Sequence, residues 1–257
     1  MKFKIGYFYS NLLNLYGDNG NVEILCYRAA SRGFDVEVVE LNPTDILTTD
    51  LMQSLNFIFM GGGPDSGQKD MYGDLLNNKG TFIRDYVERG GVGLYICGSY
   101  QLMGKYYKAA DESVLEGTGI FNLYTENFGI KRPRCIGNIV STLSSVITSS
   151  TVFSKLPMAL GATLVGFENH GGRTYLEGKS QPFAYVQKGY GNNGEDRTEG
   201  VVYKNSIGTY LHGPILARNP HFADYLIAKS LGIDKLEALE DDTIIVSAHT
   251  ASLNLKQ

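Results

Sequence analysis

The sequence predicts an α/β fold with a mostly parallel β-sheet flanked by helices on both faces. Short apolar runs alternate with longer segments of helical periodicity in the first hundred residues. Glycine pairs and triplets end several of these segments. The 257 residues show no change in composition between the halves, so we expect a single domain over residues 1–257.

The first elements are a strand, a helix and two further strands. In residues 2–9 (KFKIGYFY) polar and apolar side chains alternate, and the run is apolar enough for a strand. Residues 20–32 carry apolar side chains at helical spacing, which predicts a helix that ends at Gly33. Residues 35–41 (DVEVVEL) predict a second strand. Residues 57–60 (FIFM) predict a third, because the run is too short for a helix and ends in a glycine triplet and a proline.

The next helix and strand lead to a cysteine. Residues 80–89 predict a helix closed by Gly90 and Gly91, and residues 92–96 predict a buried strand. The predicted order so far is β-α-β-β-α-β. Ligands of parallel sheets bind where loops leave the carboxyl ends of strands, and both the glycine triplet and Cys97 fall at such ends.

The second half of the chain is richer in strands and turns. It contains the segment GFENHGGRTY at residues 166–175 and a polar loop at residues 189–200. A strand is predicted at residues 207–211, directly before His212, and a final helix at residues 220–231.

Composition excludes several classes of protein. A formal net charge of −4 without a run of Lys or Arg argues against nucleic acid or an anionic membrane as a ligand. With no leader-like start and no run of about 18 apolar residues, we expect a cytoplasmic protein without membrane insertion. The scattered Cys26, Cys97 and Cys135 and only four histidines argue against a disulfide framework and a metal site.

The stretch LYICGSYQL at residues 94–102 indicates a nucleophile. A strand that ends at Cys97 and turns through Gly98 and Ser99 into a helix has the order of a nucleophile elbow. The positive helix N-terminus would favour a thiolate, and the backbone N–H of Gly98 would face a developing oxyanion. The alternative is a buried cysteine that only packs.

A thiolate nucleophile needs a proton partner, which is normally a histidine. His212 ends a predicted strand and precedes a Gly-Pro turn, so we expect it at the same edge of the sheet. His170 is its rival, and either could instead be a hydrogen-bonded structural residue. His221 and His249 lie in helix and tail contexts that suit the role less well.

Five motifs in order resemble a known family. The elbow resembles the signature of class I glutamine amidotransferases, and the whole set is more similar to the branch related to cobyric acid synthase. The motifs are NLYGDNGN (14–21), MGGGPD (60–65), CGSYQ (97–101), GFENHGGRTY (166–175) and GTYLHGP (208–214). The resemblance implies a three-layer, flavodoxin-like fold and hydrolysis of L-glutamine.

The resemblance also implies roles for individual residues. Cys97 would attack the glutamine amide to give a thioester and ammonia, and His212 would relay the proton. The oxyanion would lie on the backbone N–H of Gly98 and on that of Gly62 or Gly63. A plain turn or a phosphate loop is the alternative for the glycine triplet, which lacks the Lys-Ser/Thr of a P-loop.

Substrate binding is assigned by the same resemblance. Arg134 would hold the glutamine α-carboxylate, since a guanidinium binds a carboxylate bidentately. Lys131 and Arg132 lie close by in sequence, so a shifted assignment or a solvated basic cluster remains open. Gln101 would line the pocket, unless it is only a residue at a helix N-terminus.

The sequence departs from the wider amidotransferase class beside the histidine. A glutamate commonly follows two residues after it and orients it, whereas this chain has Pro214. The group that fixes the imidazole is therefore open, with Asp18 and Glu168 as candidates and a simple dyad as a third possibility.

No ATP site or cofactor site is recognisable in the chain, so released ammonia needs a synthetase. The resemblance implies a heterodimer with an ATP- and Mg-dependent, Mur-ligase-like partner that converts the D-glutamate of the lipid II stem peptide to D-isoglutamine. Two alternatives stay open: a stand-alone γ-glutamyl cysteine hydrolase and a non-catalytic module that binds a small molecule.

Overall fold

The computed structural model of the protein describes residues 1–63, 71–157 and 160–255. The strands are β1 (Lys2–Phe8), β2 (Asp35–Leu41), β3 (Phe57–Met60), β4 (Val92–Ile96), β5 (Tyr106–Lys108), β6 (Val114–Glu116), β7 (Leu123–Asn127), β8 (Cys135–Leu143), β9 (Thr163–His170), β10 (Gly172–Leu176), β11 (Ala184–Lys188), β12 (Thr198–Glu199), β13 (Val201–Tyr203) and β14 (Ser206–Thr209). The α-helices are α1 (Asn19–Ala30), α2 (Thr49–Ser54), α3 (Gly80–Glu88), α4 (Gly98–Leu102), α5 (Ser145–Thr148), α6 (Thr151–Ser154), α7 (Ile215–Arg218), α8 (Pro220–Leu231) and α9 (Asp242–Leu253).

A six-stranded sheet in the order β13-β14-β4-β3-β1-β2 contains the predicted strands of the first half. Every neighbouring pair is parallel except β13 and β14. All residues of β3 and β4 are buried, which explains why both strands are unbroken apolar runs. The predicted α/β class with a mostly parallel sheet is confirmed.

One connection differs from the prediction. The sequence pattern joins the second and third strands directly, but helix α2 lies between them and is capped by Thr48, whose side chain accepts from the Leu51 N–H. β2 and β3 are parallel strands on either side of β1, and parallel strands of one sheet require such a crossover connection. The strand predicted at residues 207–211 also ends earlier, at Thr209. The helix predicted as the final one, residues 220–231, is followed by a further helix, α9.

Two smaller sheets account for the strand-rich second half. Their orders are β10-β7-β5-β6 and β12-β11-β8-β9. The second of them reaches the central sheet through an isolated antiparallel bridge between Phe167 of β9 and His212. Within the residues that the structure describes, no helix is long and apolar enough to cross a bilayer.

The carboxyl ends of four adjacent strands, β14, β4, β3 and β1, therefore meet at one edge. The loops after these strands carry His212, Cys97, the glycine triplet and Asp18 respectively. The order of strands in the sheet thus brings together residues that are up to 194 positions apart in sequence. This is the edge at which open α/β sheets bind ligands.

Candidate active site

Cys97 lies in a strained turn between β4 and α4. Its φ of 51° and ψ of −104° place a non-glycine residue in a conformation that L-residues rarely adopt. Hydrogen bonds to both neighbouring strands hold the turn in place. The Cys97 N–H donates to Thr209 O at 2.8 Å, and Ser99 Oγ donates to Met60 O at 2.8 Å. This is the geometry of the nucleophile elbow that the sequence pattern indicates.

His212 is held by its backbone and by its side chain. Its N–H donates to Phe167 O at 2.7 Å, and its own carbonyl accepts from the Phe167 N–H at 3.2 Å. The imidazole Nδ1 lies 3.2 Å from Asp18 Oδ1, and both side chains are fully buried. Asp18 therefore contacts the histidine, whereas Glu168, the other candidate, accepts from the N–H groups of Tyr190 and Gly191.

Gly62 separates the cysteine from the histidine. A methyl group at this position would lie 2.9 Å from His212 Cε1, 3.1 Å from Asp18 Oδ2 and 3.2 Å from Cys97 Cβ. No side chain fits in this space without displacing one of the three. Cys97, His212 and Asp18 therefore all lie next to the same glycine.

The electrostatic surroundings favour a charged imidazole. Burial opposes the charge, but the interactions of the imidazole with Cys97 and Asp18 outweigh it and raise the pKa of His212 to about 10. Nδ1 faces the Asp18 carboxylate, and Nε2 is buried without a hydrogen-bond partner among the described residues. At neutral pH the ring can therefore donate a proton through Nε2.

The three glycines predicted to bind the oxyanion lie in different surroundings. Gly98 begins α4, where the first N–H groups of a helix have no partner within it. Gly63 lines a cavity together with Cys97. The N–H of Gly62 instead donates to Asp18 Oδ2 at 2.7 Å, so in this conformation it already has an acceptor. The roles of Gly63 and Gly98 stay predictions.

A cavity of about 240 Å³ opens over the thiol. Gln101 and Arg134 both line it, and their roles in substrate binding stay predictions. Gln101 Nε2 donates to Tyr210 Oη at 3.0 Å. Arg134 is oriented by Asn169, whose side-chain Oδ1 accepts from Nε at 3.0 Å and whose carbonyl accepts from Nη2 at 3.1 Å. This volume suits a ligand smaller than the drug-sized molecules that fill pockets of roughly 300–1,000 Å³.

The neighbouring basic residues lie elsewhere. Arg132 forms an ion pair with Glu195, and its guanidinium lies 4.6 Å from the centre of the Phe128 ring. Lys131 lines a separate, adjacent cavity. Of the three basic residues left open by the sequence, Arg134 is the one that lines the cavity over Cys97.

His170 lines this cavity too, but its nitrogens are directed elsewhere. Nδ1 donates to Gly172 O at 2.7 Å, and the ring stacks on Tyr210 with centroids 3.6 Å apart. Burial lowers its pKa, so it stays neutral. Its Nε2 lies 3.9 Å from Glu168 Oε2, a longer contact than the 3.2 Å between His212 and Asp18. The structure therefore places the rival histidine in a stacked position beside the cavity.

Two residues of the site are not predicted by the sequence patterns. Asn169 orients Arg134, and Tyr16 packs edge-on against the His212 ring at 5.0 Å between centroids. Both occur within motifs that carry the family resemblance, and this is the signal that could have identified them. Of the MGGGPD motif, Pro64 and Asp65 lie outside the described residues.

The fold and the site together define an α/β protein with a buried cysteine in a strained turn between a strand and a helix and a histidine–aspartate pair beside it. The CobB/CobQ-like glutamine amidotransferase domain matches residues 4–220. The chain belongs to this family of glutamine amidotransferases.

Individual relatives agree with this assignment. The chain is 44% identical to subunit GatD of the glutamine-hydrolyzing lipid II isoglutaminyl synthase from Staphylococcus aureus, over 88% of this chain and 83% of the relative. It is 38% identical to the same subunit from Streptococcus pneumoniae, over 90% and 81% of the two chains. Among solved structures, PurLQS from Thermotoga maritima has a TM-score of 0.58 at 16% identity, covering 90% of this chain and 99% of that one, which supports the fold.

Proposed function

We propose that this chain is the glutaminase subunit of a two-subunit amidotransferase and hydrolyses L-glutamine to L-glutamate and ammonia. The observation that carries the proposal is the arrangement at Gly62, where Cys97 in its strained turn and the Asp18-bound His212 flank one α-carbon. A thiol beside an imidazole that can donate a proton is suited to cleaving an amide.

The reaction would begin with the Cys97 sulfur attacking the side-chain carbonyl carbon of glutamine. A C–S bond forms, and the resulting oxyanion accepts from the N–H group of Gly98 and from that of Gly62 or Gly63, each worth about 3 kcal/mol in sites of this kind. His212 Nε2 then gives its proton to the amide nitrogen, the C–N bond breaks and ammonia leaves. Water attacks the thioester, His212 takes up its proton, and breakage of the C–S bond releases glutamate.

Arg134 would bind the α-carboxylate of glutamine, and Gln101 would also contact the substrate. The cavity holding both opens directly over Cys97, which supports this placement. The chemistry needs no cofactor in this chain. It does need a reduced thiol, which fits a cytoplasmic location, and all three cysteines are free.

The ammonia would be used by a partner. GatD relatives are by name subunits of lipid II isoglutaminyl synthase, and they share most of their length with this chain. We therefore propose a heterodimer with a Mur-ligase-like synthetase that binds ATP and Mg²⁺. This partner would activate the D-glutamate carboxylate of the lipid II stem peptide, and ammonia would convert it to D-isoglutamine.

Glutamine labelled with ¹⁵N at the side-chain amide tests both the glutaminase activity and the proposed acceptor of the ammonia. Incubated with lipid II, ATP and Mg²⁺, the complex should release glutamate and transfer ¹⁵N to the stem peptide. Cys97→Ser should abolish both, whereas Cys26→Ser should leave both unchanged. Glutamate without labelled peptide would refute the acceptor, and no glutamate from the complex would refute the glutaminase.

A further inference from the structure

Tyr16 lies where the protein surface meets the buried imidazole. Its side chain is 41% exposed, yet its ring packs edge-on against His212, at 74° to the imidazole plane. The same ring contacts Phe167, whose backbone N–H and carbonyl are both hydrogen-bonded to the backbone of His212. Tyr16 thus covers the imidazole on its solvent side.

The backbone around Tyr16 is held in an unusual conformation. Its φ of 57° and ψ of 23° are in the left-handed region, which a residue other than glycine adopts only where the surroundings enforce it. On one side the Leu15 N–H donates to Gly62 O at 2.9 Å, and on the other Asp18 contacts His212 and Gly62. Residues 15–18 are therefore fixed to the active site at both ends.

The hydroxyl of Tyr16 reaches the other side of the site through Asn169. The Asn169 side-chain amide donates to Tyr16 Oη at 2.5 Å, while its oxygen accepts from Arg134 Nε at 3.0 Å. An asparagine amide can serve both partners in only one orientation, nitrogen toward the tyrosine and oxygen toward the arginine. Tyr16 thereby fixes the group that orients Arg134.

We infer that Tyr16 is a positioning residue that couples the orientation of His212 to that of Arg134. This rests on the proposed glutaminase function. The ring acts on the imidazole and hence on the chemical step, and the hydroxyl acts through Asn169 on the binding of the glutamine carboxylate. The two parts of one side chain therefore have separable kinetic effects.

Kinetics of the complex with its synthetase test this separation. Tyr16→Phe removes only the hydroxyl and should raise the KM for glutamine about three- to tenfold, the effect of one hydrogen bond, with kcat within about twofold. Tyr16→Ala should lower kcat as well, so phenylalanine rescues kcat without rescuing KM. Tyr185→Phe, at a similarly exposed tyrosine of β11, should change neither constant.

A double-mutant cycle isolates the link to the arginine. In an Arg134→Ala background, Tyr16→Phe should leave KM unchanged, because the group through which the hydroxyl acts is gone. An unchanged KM in the single Tyr16→Phe variant, or an equal rise in both backgrounds, would overturn the inference. These outcomes require an active wild-type complex, whereas an inactive wild type would refute the proposed function itself.

Discussion

Asp18 Oδ1 and His212 Nδ1 lie 3.2 Å apart in a fully buried contact between the loops after β1 and β14. The other carboxylate oxygen accepts the N–H of Gly62 at 2.7 Å. One side chain thus fixes the imidazole orientation and the glycine beside the thiol. Asp18 is thus the carboxylate in contact with His212, in a chain that carries Pro214 two residues after the histidine.

Replacing this carboxylate should impair the chemical step. Asp18→Asn keeps the shape but removes the charge, so kcat should fall about 10²- to 10⁴-fold, as in other triads. The pKa of His212 should also fall from about 10, because Asp18 helps to raise it. Ring-nitrogen NMR and steady-state kinetics measure the two effects. Asp50→Asn, at an exposed position of α2, is the matched control, and an unchanged His212 pKa would contradict the role of Asp18.

The sequence predicts the central sheet well because buried parallel strands are continuous apolar runs. β3 and β4 agree with the predicted bounds to the residue. Helix α2 is missed because six residues are too few to display helical periodicity. Its existence follows instead from the parallel direction of β2 and β3 on either side of β1, which only the tertiary structure provides.

The residues of the candidate site likewise fall into those that local sequence patterns predict and those that they do not. Cys97 and His212 follow from local patterns, since each lies between a strand and a glycine turn. Nothing local distinguishes Asp18 from Glu168, or Arg134 from Arg132, because each choice depends on partners distant in sequence. Asp18 and His212, for example, are 194 positions apart.

Gly62 should tolerate no side chain. In Gly62→Ala the methyl group would lie within 3.2 Å of His212, Asp18 and Cys97, and the displacement should lower kcat by on the order of 10²-fold. Gly73→Ala serves as the control, because its methyl group would meet no atom of the described residues within 4 Å. Kinetics and thermal unfolding of both variants separate catalysis from stability. Full activity of Gly62→Ala would mean that the thiol and imidazole can move apart without cost.

Covalent labelling should single out one cysteine. Burial raises the pKa of Cys135 to about 12 and also raises the pKa of Cys26, so both stay protonated at neutral pH. The glutamine analogue 6-diazo-5-oxo-norleucine should therefore modify Cys97 alone, and L-glutamine should protect it. Mass spectrometry of peptides from the complex locates the adduct. Equal labelling of all three cysteines would argue for a merely packed Cys97.

The folded protein should lose stability in acid through His221. Burial and the adjacent His249 lower its pKa to about 3, so below pH 6.5 the unfolded chain binds more protons than the folded one. Stability should fall between about pH 6.5 and 3, with at most about 1.4 kcal/mol per pH unit from this residue. Urea unfolding of His221→Phe should depend less steeply on pH than that of the wild type. If stability depends equally on pH in the two proteins, protonation of His221 is not the cause of the loss in acid.

The two arginines near the cavity should differ in their effect on glutamine. Arg134→Ala removes a bidentate partner of a carboxylate, worth about 1.5–3 kcal/mol, and should raise KM roughly ten- to a hundredfold. Arg134→Lys should recover only part of this, because an ammonium lacks the planar fork of a guanidinium. Arg132→Ala loses an exposed ion pair with Glu195 and should leave KM unchanged. The reverse result would indicate that the α-carboxylate of glutamine binds at Arg132, near Glu195 and away from the thiol. The proposed orientation of the substrate would then be wrong.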